Sequence, residues 1–98
     1  MRKTQALIRV AVALMADPHG KHWGYSLTKQ SGVRSGVLYP LLRRLLDEHW
    51  LADGWEDPAA AGGRPPRRYY QLTELGHREL TALLASVRTH ERFREIVS

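Results

Sequence analysis

The sequence contains no cysteine, which excludes disulfide bridges, thiolate metal sites and a cysteine nucleophile. Long apolar runs are also missing, since the longest, Val10–Ala16, is far shorter than the roughly 20 residues that cross a bilayer. Arg9 interrupts the apolar stretch near the N-terminus, so we expect no secretory signal there. Neither a glycine-rich phosphate loop nor a Ser/His/Asp nucleophile motif is present. These absences predict a soluble cytoplasmic protein that is not an enzyme and needs no cofactor or membrane.

The composition predicts one small globular domain. The chain has 98 residues, of which 43% are hydrophobic, enough for a core and too many for a disordered tail. A domain of this size buries only about 60–65% of its unfolded surface, so we expect a partner subunit to contribute to its stability. The net charge of +5 points to nucleic acid, a membrane surface or an acidic protein as the partner.

The positive charge is concentrated in two segments. Residues 1–49 carry eight basic and three acidic side chains, whereas residues 50–98 carry seven of each. Arg34–Arg44 and Gly62–Tyr70 each contain three arginines and no acid, and Asp47–Asp57 between them contains five acids and no Lys or Arg. Two basic segments on either side of an acidic one favour a directed binding surface over general solubility, although arginine is also simply the preferred cation of this chain.

Hydrophobic periodicity and turn residues predict four helices and a β-hairpin. The predicted elements are helices at about 4–16, 24–30 and 35–49, strands at Trp50–Glu56 and Arg67–Leu72, and a last helix from 74 that extends as far as Val97. Ser35 and Thr73 are expected to cap the third and last helices. Pro40 breaks a local rule inside the third helix, because proline removes a helical hydrogen bond. Such violations are expected where function overrides stability.

This order of elements predicts a mainly α, α+β fold: a winged helix-turn-helix with a two-stranded β-wing and a long C-terminal helix. A helix of this kind enters the major groove of duplex DNA with its N-terminal residues at the base edges. The candidate DNA-binding residues are Arg34, Ser35, Gly36, Tyr39, Arg43 and Arg44 on the third helix and Arg64, Arg67 and Arg68 on the wing.

Three segments together resemble the PadR family of bacterial transcriptional regulators. The matching residues are Gly24-Tyr25, the run Leu-Tyr-Pro-Leu-Leu-Arg-Arg-Leu at 38–45, and Tyr-Tyr-Gln-Leu-Thr-Glu-Leu-Gly at 69–76. The resemblance implies a homodimeric repressor that binds a pseudo-palindromic operator with the third helix in the major groove and the wing on the backbone or minor groove. It also implies that the first and last helices dimerise. The residues expected there are Leu7, Val10, Leu14, Leu80, Leu83, Leu84 and Val87.

The first helix supports the dimer independently, because it is apolar around most of its circumference and a 98-residue domain is not expected to cover it alone. The wing differs from a lysine-rich tip, since it is rich in Ala and Gly and stiffened by Pro65-Pro66.

Several alternatives stay open at this point. Tyr39 could pack against the second helix, Arg44 could pair with Glu48, and the wing arginines could be ordinary loop charges. One of Tyr69 and Tyr70 should be core and the other surface, because neighbours alternate along a strand. The three tryptophans leave a small-molecule effector open without identifying one. A metal site at His19 and His22 is disfavoured, since no further ligand lies at metal-binding spacing. Rival functions are a winged-helix protein-interaction module and an architectural or recombination accessory factor of a mobile element.

Overall fold

The computed structural model describes residues 2–88 and residue 96. The elements follow in the order α1 (Gln5–Met15), β1 (His22–Trp23), α2 (Gly24–Ser31), α3 (Ser35–Asp47), β2 (Leu51–Trp55), β3 (Arg68–Leu72) and α4 (Glu74–Val87). The predicted winged helix-turn-helix is confirmed. The starts of α2, α3 and α4 and the end of β3 fall at the predicted residues, and the other boundaries within residues 2–88 differ by one or two residues. The short strand β1 was not predicted, because two residues carry no periodic pattern. The predicted helical stretch between Val87 and Val97, including Phe93, lies largely outside the described residues.

The three strands form an antiparallel sheet in the order β1–β3–β2. In the register, Tyr70 of β3 lies opposite His22 on one side and Asp53 on the other. Tyr70 is buried, at 3% exposure, whereas its neighbour Tyr69 is half-buried. The alternation predicted for this tyrosine pair is therefore confirmed. Strand β3 is the central strand, so it fixes the wing to the helical part of the domain.

The core is built from leucines that converge from all four helices. Leu14, Leu27, Leu38, Leu45 and Leu80 are fully buried, and they pack in one cluster. Full burial of a leucine side chain contributes roughly 1.5–3 kcal/mol, so this cluster supplies much of the stability of so small a domain. The core therefore fixes how α3 is oriented relative to α1 and α2.

Helix α1 is covered by the chain itself. Six of its residues are buried, and they contact α2, α3 and α4 within one chain. The expectation that one domain cannot cover this helix is wrong, because α4 packs along the side that the sequence left without a partner. Ile8 and Val87 are buried against each other there, and Ile96 packs on the same cluster.

Local signals explain where the helices begin and end. The Thr4 hydroxyl accepts from the Leu7 amide at 3.1 Å, and the Thr73 hydroxyl accepts from the Gly76 amide at 2.9 Å, as predicted for Thr73. Helix α2 ends at Gly32, whose φ of 72° is left-handed and favours glycine. Pro40 is exposed within α3, and its partner four residues back is the exposed Gly36. The carbonyl that loses its helical hydrogen bond is therefore open to water, which lowers the penalty of the proline.

The start of α4 is tied closely to the start of β2. The Thr73 amide donates to the Trp50 carbonyl at 3.1 Å, and its hydroxyl donates to the His49 carbonyl at 2.6 Å. A Cβ on Gly76 would overlap the Trp50 carbonyl, so only glycine allows this approach. This junction connects the last helix to the wing.

We expect Gly76→Ala to lower the free energy of unfolding by about 2–3 kcal/mol, because the added methyl group meets backbone that cannot move aside cheaply. Urea denaturation followed by circular dichroism measures this change. Gly36→Ala is the matched control, since open space surrounds that position and alanine favours a helix. Its unfolding free energy should stay the same or rise by up to about 1 kcal/mol. Equal stability of Gly76→Ala and the parent would contradict the close approach.

Candidate nucleic-acid interface

Helix α3 presents the predicted basic face to solvent. Arg34, Ser35, Gly36, Tyr39, Arg43 and Arg44 are all exposed. Val37 is exposed beside them, at 49%. The buried side of the same helix carries Leu38, Leu42 and Leu45. Because these leucines hold the helix in the core, the exposed side chains project from a fixed scaffold.

The first turn of α3 differs from the prediction. Ser35 is the first helical residue, Arg34 occupies the N-cap position, and no side chain accepts a hydrogen bond from the first amides. The prediction that Ser35 caps the helix is therefore wrong. The helix starts at Ser35, as predicted, so Ser35 is its first residue, and the N-cap position is taken by Arg34, whose backbone is extended. Uncapped amides at the start of a long helix suit an anion such as a phosphate.

The ion pairs on α3 also differ from the simplest expectation. The Nε atom of Arg43 lies 3.5 Å from Asp47 Oδ1, whereas no such pair joins Arg44 and Glu48 within the described residues. Both members of the Arg43 pair are well exposed, at 71% and 63% of their side chains. Exposed pairs of this kind contribute at most about 1 kcal/mol, so Arg43 can exchange Asp47 for another anion at little cost.

The wing arginines are not equivalent. Arg64 makes a two-pronged contact with Glu56, with Nη1 at 2.7 Å from Oε1 and Nη2 at 2.9 Å from Oε2. Arg68 binds Asp53, with its Nε donating to Oδ2 at 2.6 Å. The Arg67 amide donates to Glu56 Oε1 at 3.4 Å, but its guanidinium forms no ion pair among residues 2–88 and lies over the Tyr25 ring, 5.0 Å from the centroid.

The Glu56–Arg64 and Asp53–Arg68 contacts alter how the charge pattern of the sequence is interpreted. The acidic segment between the two basic ones is not a separate patch, because hairpin pairing places Asp53 and Glu56 beside the wing arginines. The Arg64 hydrogen bond lowers the pKa of the Glu56 carboxyl below its ordinary value of 4.5. Likewise, the hydrogen bond to Asp53 raises the pKa of Arg68. Two of the three wing arginines are thus already neutralised by a partner.

A cleft lies between the wing and the helix-turn-helix. It holds about 210 Å³, is open to solvent, and is lined by Trp23, Tyr25, Tyr39, Arg67, Arg68 and Tyr70. Burial raises the pKa of Tyr70 at its inner wall. The Tyr39 hydroxyl lies against Gly24, so the expected packing of Tyr39 on the second helix and its exposure occur together. Residues from α2, α3 and β3 therefore meet at one surface.

The three tryptophans are not brought together. Trp23 packs edge-on against Tyr69 with ring centroids 5.9 Å apart, and Trp50 lies partly buried against the core. Trp55, at the end of β2, is 68% exposed. No sequence pattern predicted an interface role for Trp55, Tyr25, Asp53 or Glu56. Knowledge of the hairpin register would have predicted the pairs of Asp53 and Glu56 with the wing arginines. The long wing loop has no sequence pattern from which this register could be predicted.

The residues expected at a dimer interface fall into two groups. Leu7, Val10, Leu14, Leu80 and Val87 are buried within the single chain, at 0–1% exposure. Leu83 and Leu84 are half-buried, and Leu83 lines a groove with Trp50, Glu79 and Ala82 on the outer side of α4. Because the first five residues are buried within one chain, they can support a dimer only indirectly, by holding α1 and α4 in position. Direct contact with a second chain remains a prediction for the other two.

Two further features of the described residues bear on the site. None of the helices found in residues 2–88 combines the length and apolar character that crossing a bilayer requires. In the same part of the chain, no three His, Asp or Glu side chains gather in a way that could hold a metal ion.

The Glu56–Arg64 contact has a measurable consequence in acid. Since the folded pKa of Glu56 is lowered, the pair stabilises the wing above pH 4.5 and is lost as the pH falls through the folded pKa. We expect a carbon-detected NMR titration of the Glu56 carboxyl to show a midpoint below 4.5, and Arg64→Gln to return it to the ordinary range. Arg78→Gln is the control, since Arg78 lies on α4. An unshifted midpoint in the parent would contradict the pairing.

Comparison with known proteins agrees with this geometry. Residues 13–82 match the model of the transcriptional regulator PadR-like family. A PadR-like transcription factor from Bacteroides fragilis has a similar structure, with 26% sequence identity, a TM-score of 0.64, and coverage of 96% of this chain and 92% of the other. No curated protein gave a significant match to the sequence.

Two structures with lower sequence identity share the fold. A PadR family transcription regulator from Clostridium difficile R20291 is 18% identical with a TM-score of 0.70, covering 93% of this chain and 98% of its own. The circadian clock associated protein Pex from Anabaena is 20% identical with a TM-score of 0.67, covering 95% and 84%. The family match spans the helix-turn-helix, the wing and the start of α4, so this chain belongs to the PadR-like family of transcriptional regulators.

Proposed function

We propose that the chain is a repressor that binds a pseudo-palindromic operator as a homodimer. The observation that carries the proposal is the exposed face of α3, where Tyr39 and Arg43 follow an uncapped first turn. A helix start without a capping side chain can receive a backbone phosphate, and exposed side chains further along the helix can then contact the duplex, Arg43 at base edges and Tyr39 beside the wing. This face is held by buried leucines, so it needs no rearrangement to enter the major groove.

The small residues at the start of α3 support the same orientation. Gly36 is exposed, and open space surrounds the position where its Cβ would lie. Together with Ser35, it allows the helix to approach the sugar-phosphate backbone closely. A larger side chain at either position would hold the helix away from the groove.

The homodimer is supported by the outer side of α4. Leu83, Ala82 and Trp50 leave apolar surface in a shallow groove, flanked by the opposite charges of Lys3 and Glu79. In a two-fold dimer bound to DNA, the two α3 helices enter successive major grooves about 34 Å apart. The repressor role follows from the family resemblance, since a dimer on the operator would exclude polymerase from the promoter.

We expect Tyr39→Ala and Arg43→Ala each to weaken operator binding by roughly 1–3 kcal/mol, which is the cost of one lost specific contact. Their melting temperatures should stay close to that of the parent, because both side chains are exposed. An operator is first selected from a random duplex library, and affinities are then measured by gel shift and the number of bound chains by light scattering. Arg78→Ala on α4 is the matched control.

Three outcomes of this experiment are informative. Two chains per duplex with weakened Tyr39 and Arg43 variants would support the proposal. If both variants bind as tightly as the parent, α3 is not the recognition helix. If the parent selects no duplex at all, the winged helix acts as a protein-interaction module, and several cooperative copies on bent DNA would indicate an architectural factor.

The wing acids should restrain binding. Glu56→Gln and Asp53→Asn each remove a negative charge and free the partner arginine, so we expect tighter binding to duplexes of any sequence. The log–log slope of affinity against salt should steepen by about 0.9 for each freed arginine that reaches a phosphate. Fluorescence anisotropy with a 30-base-pair duplex at several salt concentrations measures both effects. Glu79→Gln on α4 controls for net charge, and weaker binding by the wing variants would argue against a wing beside the backbone.

A further inference from the structure

The cleft between the wing and the helix-turn-helix has an unbalanced charge. Of its two arginines, Arg68 is bound to Asp53, whereas the Arg67 guanidinium forms no ion pair among residues 2–88. Glu56 pairs with Arg64, and it accepts from Arg67 only through the backbone amide, at 3.4 Å. Arg67 is exposed, yet its guanidinium is placed over the Tyr25 ring. An arginine oriented by a ring loses less conformational freedom when it binds, so the cleft is prepared for an anion.

The shape of the cleft favours a segment of a polymer over an enclosed small ligand. Its volume of about 210 Å³ is open to solvent, and its walls are mostly the rings of Tyr25, Tyr39 and Tyr70. Apolar ring surface suits a deoxyribose, and a guanidinium and phenolic hydroxyls suit the phosphate attached to it. A chain that enters and leaves through the open sides fits this shape.

The position of the cleft fits the same occupant. Tyr39 belongs to α3 and Arg67 precedes β3, so the cleft lies between the recognition helix and the wing. When α3 occupies a major groove, the DNA backbone that borders this groove passes between α3 and the wing. Tyr25 of α2 is then brought to the backbone as well.

Gly24 leaves room for Tyr39 in the cleft because glycine has no Cβ. A Cβ at this position would overlap the Tyr39 hydroxyl, so the glycine lets Tyr39 lie across the start of α2. The atoms nearest to this Cβ are the hydroxyl and two ring carbons of the exposed Tyr39 side chain, and none is a backbone atom. We therefore expect Gly24→Ala to displace the Tyr39 ring and hydroxyl and to leave the fold intact.

We propose that this cleft seats one phosphodiester of the duplex backbone in each half-site, with Arg67 as the charged contact, Tyr39 as a hydroxyl donor and the Tyr25 ring as the support that orients Arg67. The proposal rests on the proposed function and adds a site that spans α2, α3 and the wing. It makes Arg67, rather than Arg64 or Arg68, the main phosphate contact of the wing.

The test replaces single phosphodiesters in the selected operator with uncharged methylphosphonates. One position in each half-site should weaken binding of the parent about ten-fold and leave binding of Arg67→Ala unchanged, because that contact is already lost. Arg67→Ala should also reduce the salt slope by about 0.9 for each half-site, whereas Arg78→Ala should not. Gly24→Ala and Tyr39→Phe should weaken binding roughly three- to ten-fold without changing the slope. Tyr25→Leu should weaken binding more than Tyr25→Phe, which keeps the ring.

Each contrary result has a distinct meaning. If every methylphosphonate weakens the parent and Arg67→Ala equally, the cleft does not hold a phosphodiester, although the chain still binds DNA. If Arg67→Ala leaves both the affinity and the salt slope unchanged, Arg67 contacts no phosphate and the proposal is overturned. If the parent binds no duplex in gel shifts, the proposed function itself fails. Thermal melting of every variant verifies that each is folded.

Discussion

The register of strand β3 is the constraint on which the arrangement of this domain depends. Because β3 lies between β1 and β2, burial of Tyr70 fixes the pairing of β3 with both neighbouring strands at once. One residue of slippage would turn Tyr70 to the surface and move the wing arginines to the other side of the sheet. The observed register places Arg68 opposite Trp55 and next to Asp53. The same register directs Arg67 toward Tyr25 on the second helix. The wing and the helix-turn-helix therefore form one surface.

Pairing on the wing makes its charge much smaller than the sequence suggests. Glu56 and Asp53 neutralise Arg64 and Arg68, so Arg67 is the one wing arginine among residues 64–68 whose guanidinium forms no ion pair. Paired arginines still donate hydrogen bonds, but they release fewer counterions when they meet a phosphate. Such a wing orients the domain on DNA but adds little affinity for DNA of any sequence. This property suits a regulator that must dissociate readily from non-specific sites. The exposed Trp55 adds apolar surface at the same edge.

The helices and the general fold could be predicted well because their signals are local. Leucine spacing, the Thr73 cap and the Pro and Gly between helices each depend on a few neighbouring residues, and all four helices were found. One error was local: Ser35 was expected to cap α3, but it is the first helical residue, because its neighbour Arg34 takes the N-cap position. The other errors occurred where a distant contact decides. Helix α1 was expected to need a second chain, but α4 covers it. Strand β1 was missed because it exists only through pairing with β3.

The sequence by itself determined the element order, the exposed basic face of α3 and the motif by which the family is recognised, since each of these is encoded over short separations. Only the tertiary structure decided which arginines keep their charge available. Arg64 and Glu56 are eight residues apart, and Arg68 and Asp53 fifteen, across a loop without a pattern of its own. Tyr25 and Arg67 are further apart still, and they meet because burial of the leucine core and of Tyr70 brings α2 against the wing. Charge compensation acts through space, so it appears only when the chain is folded.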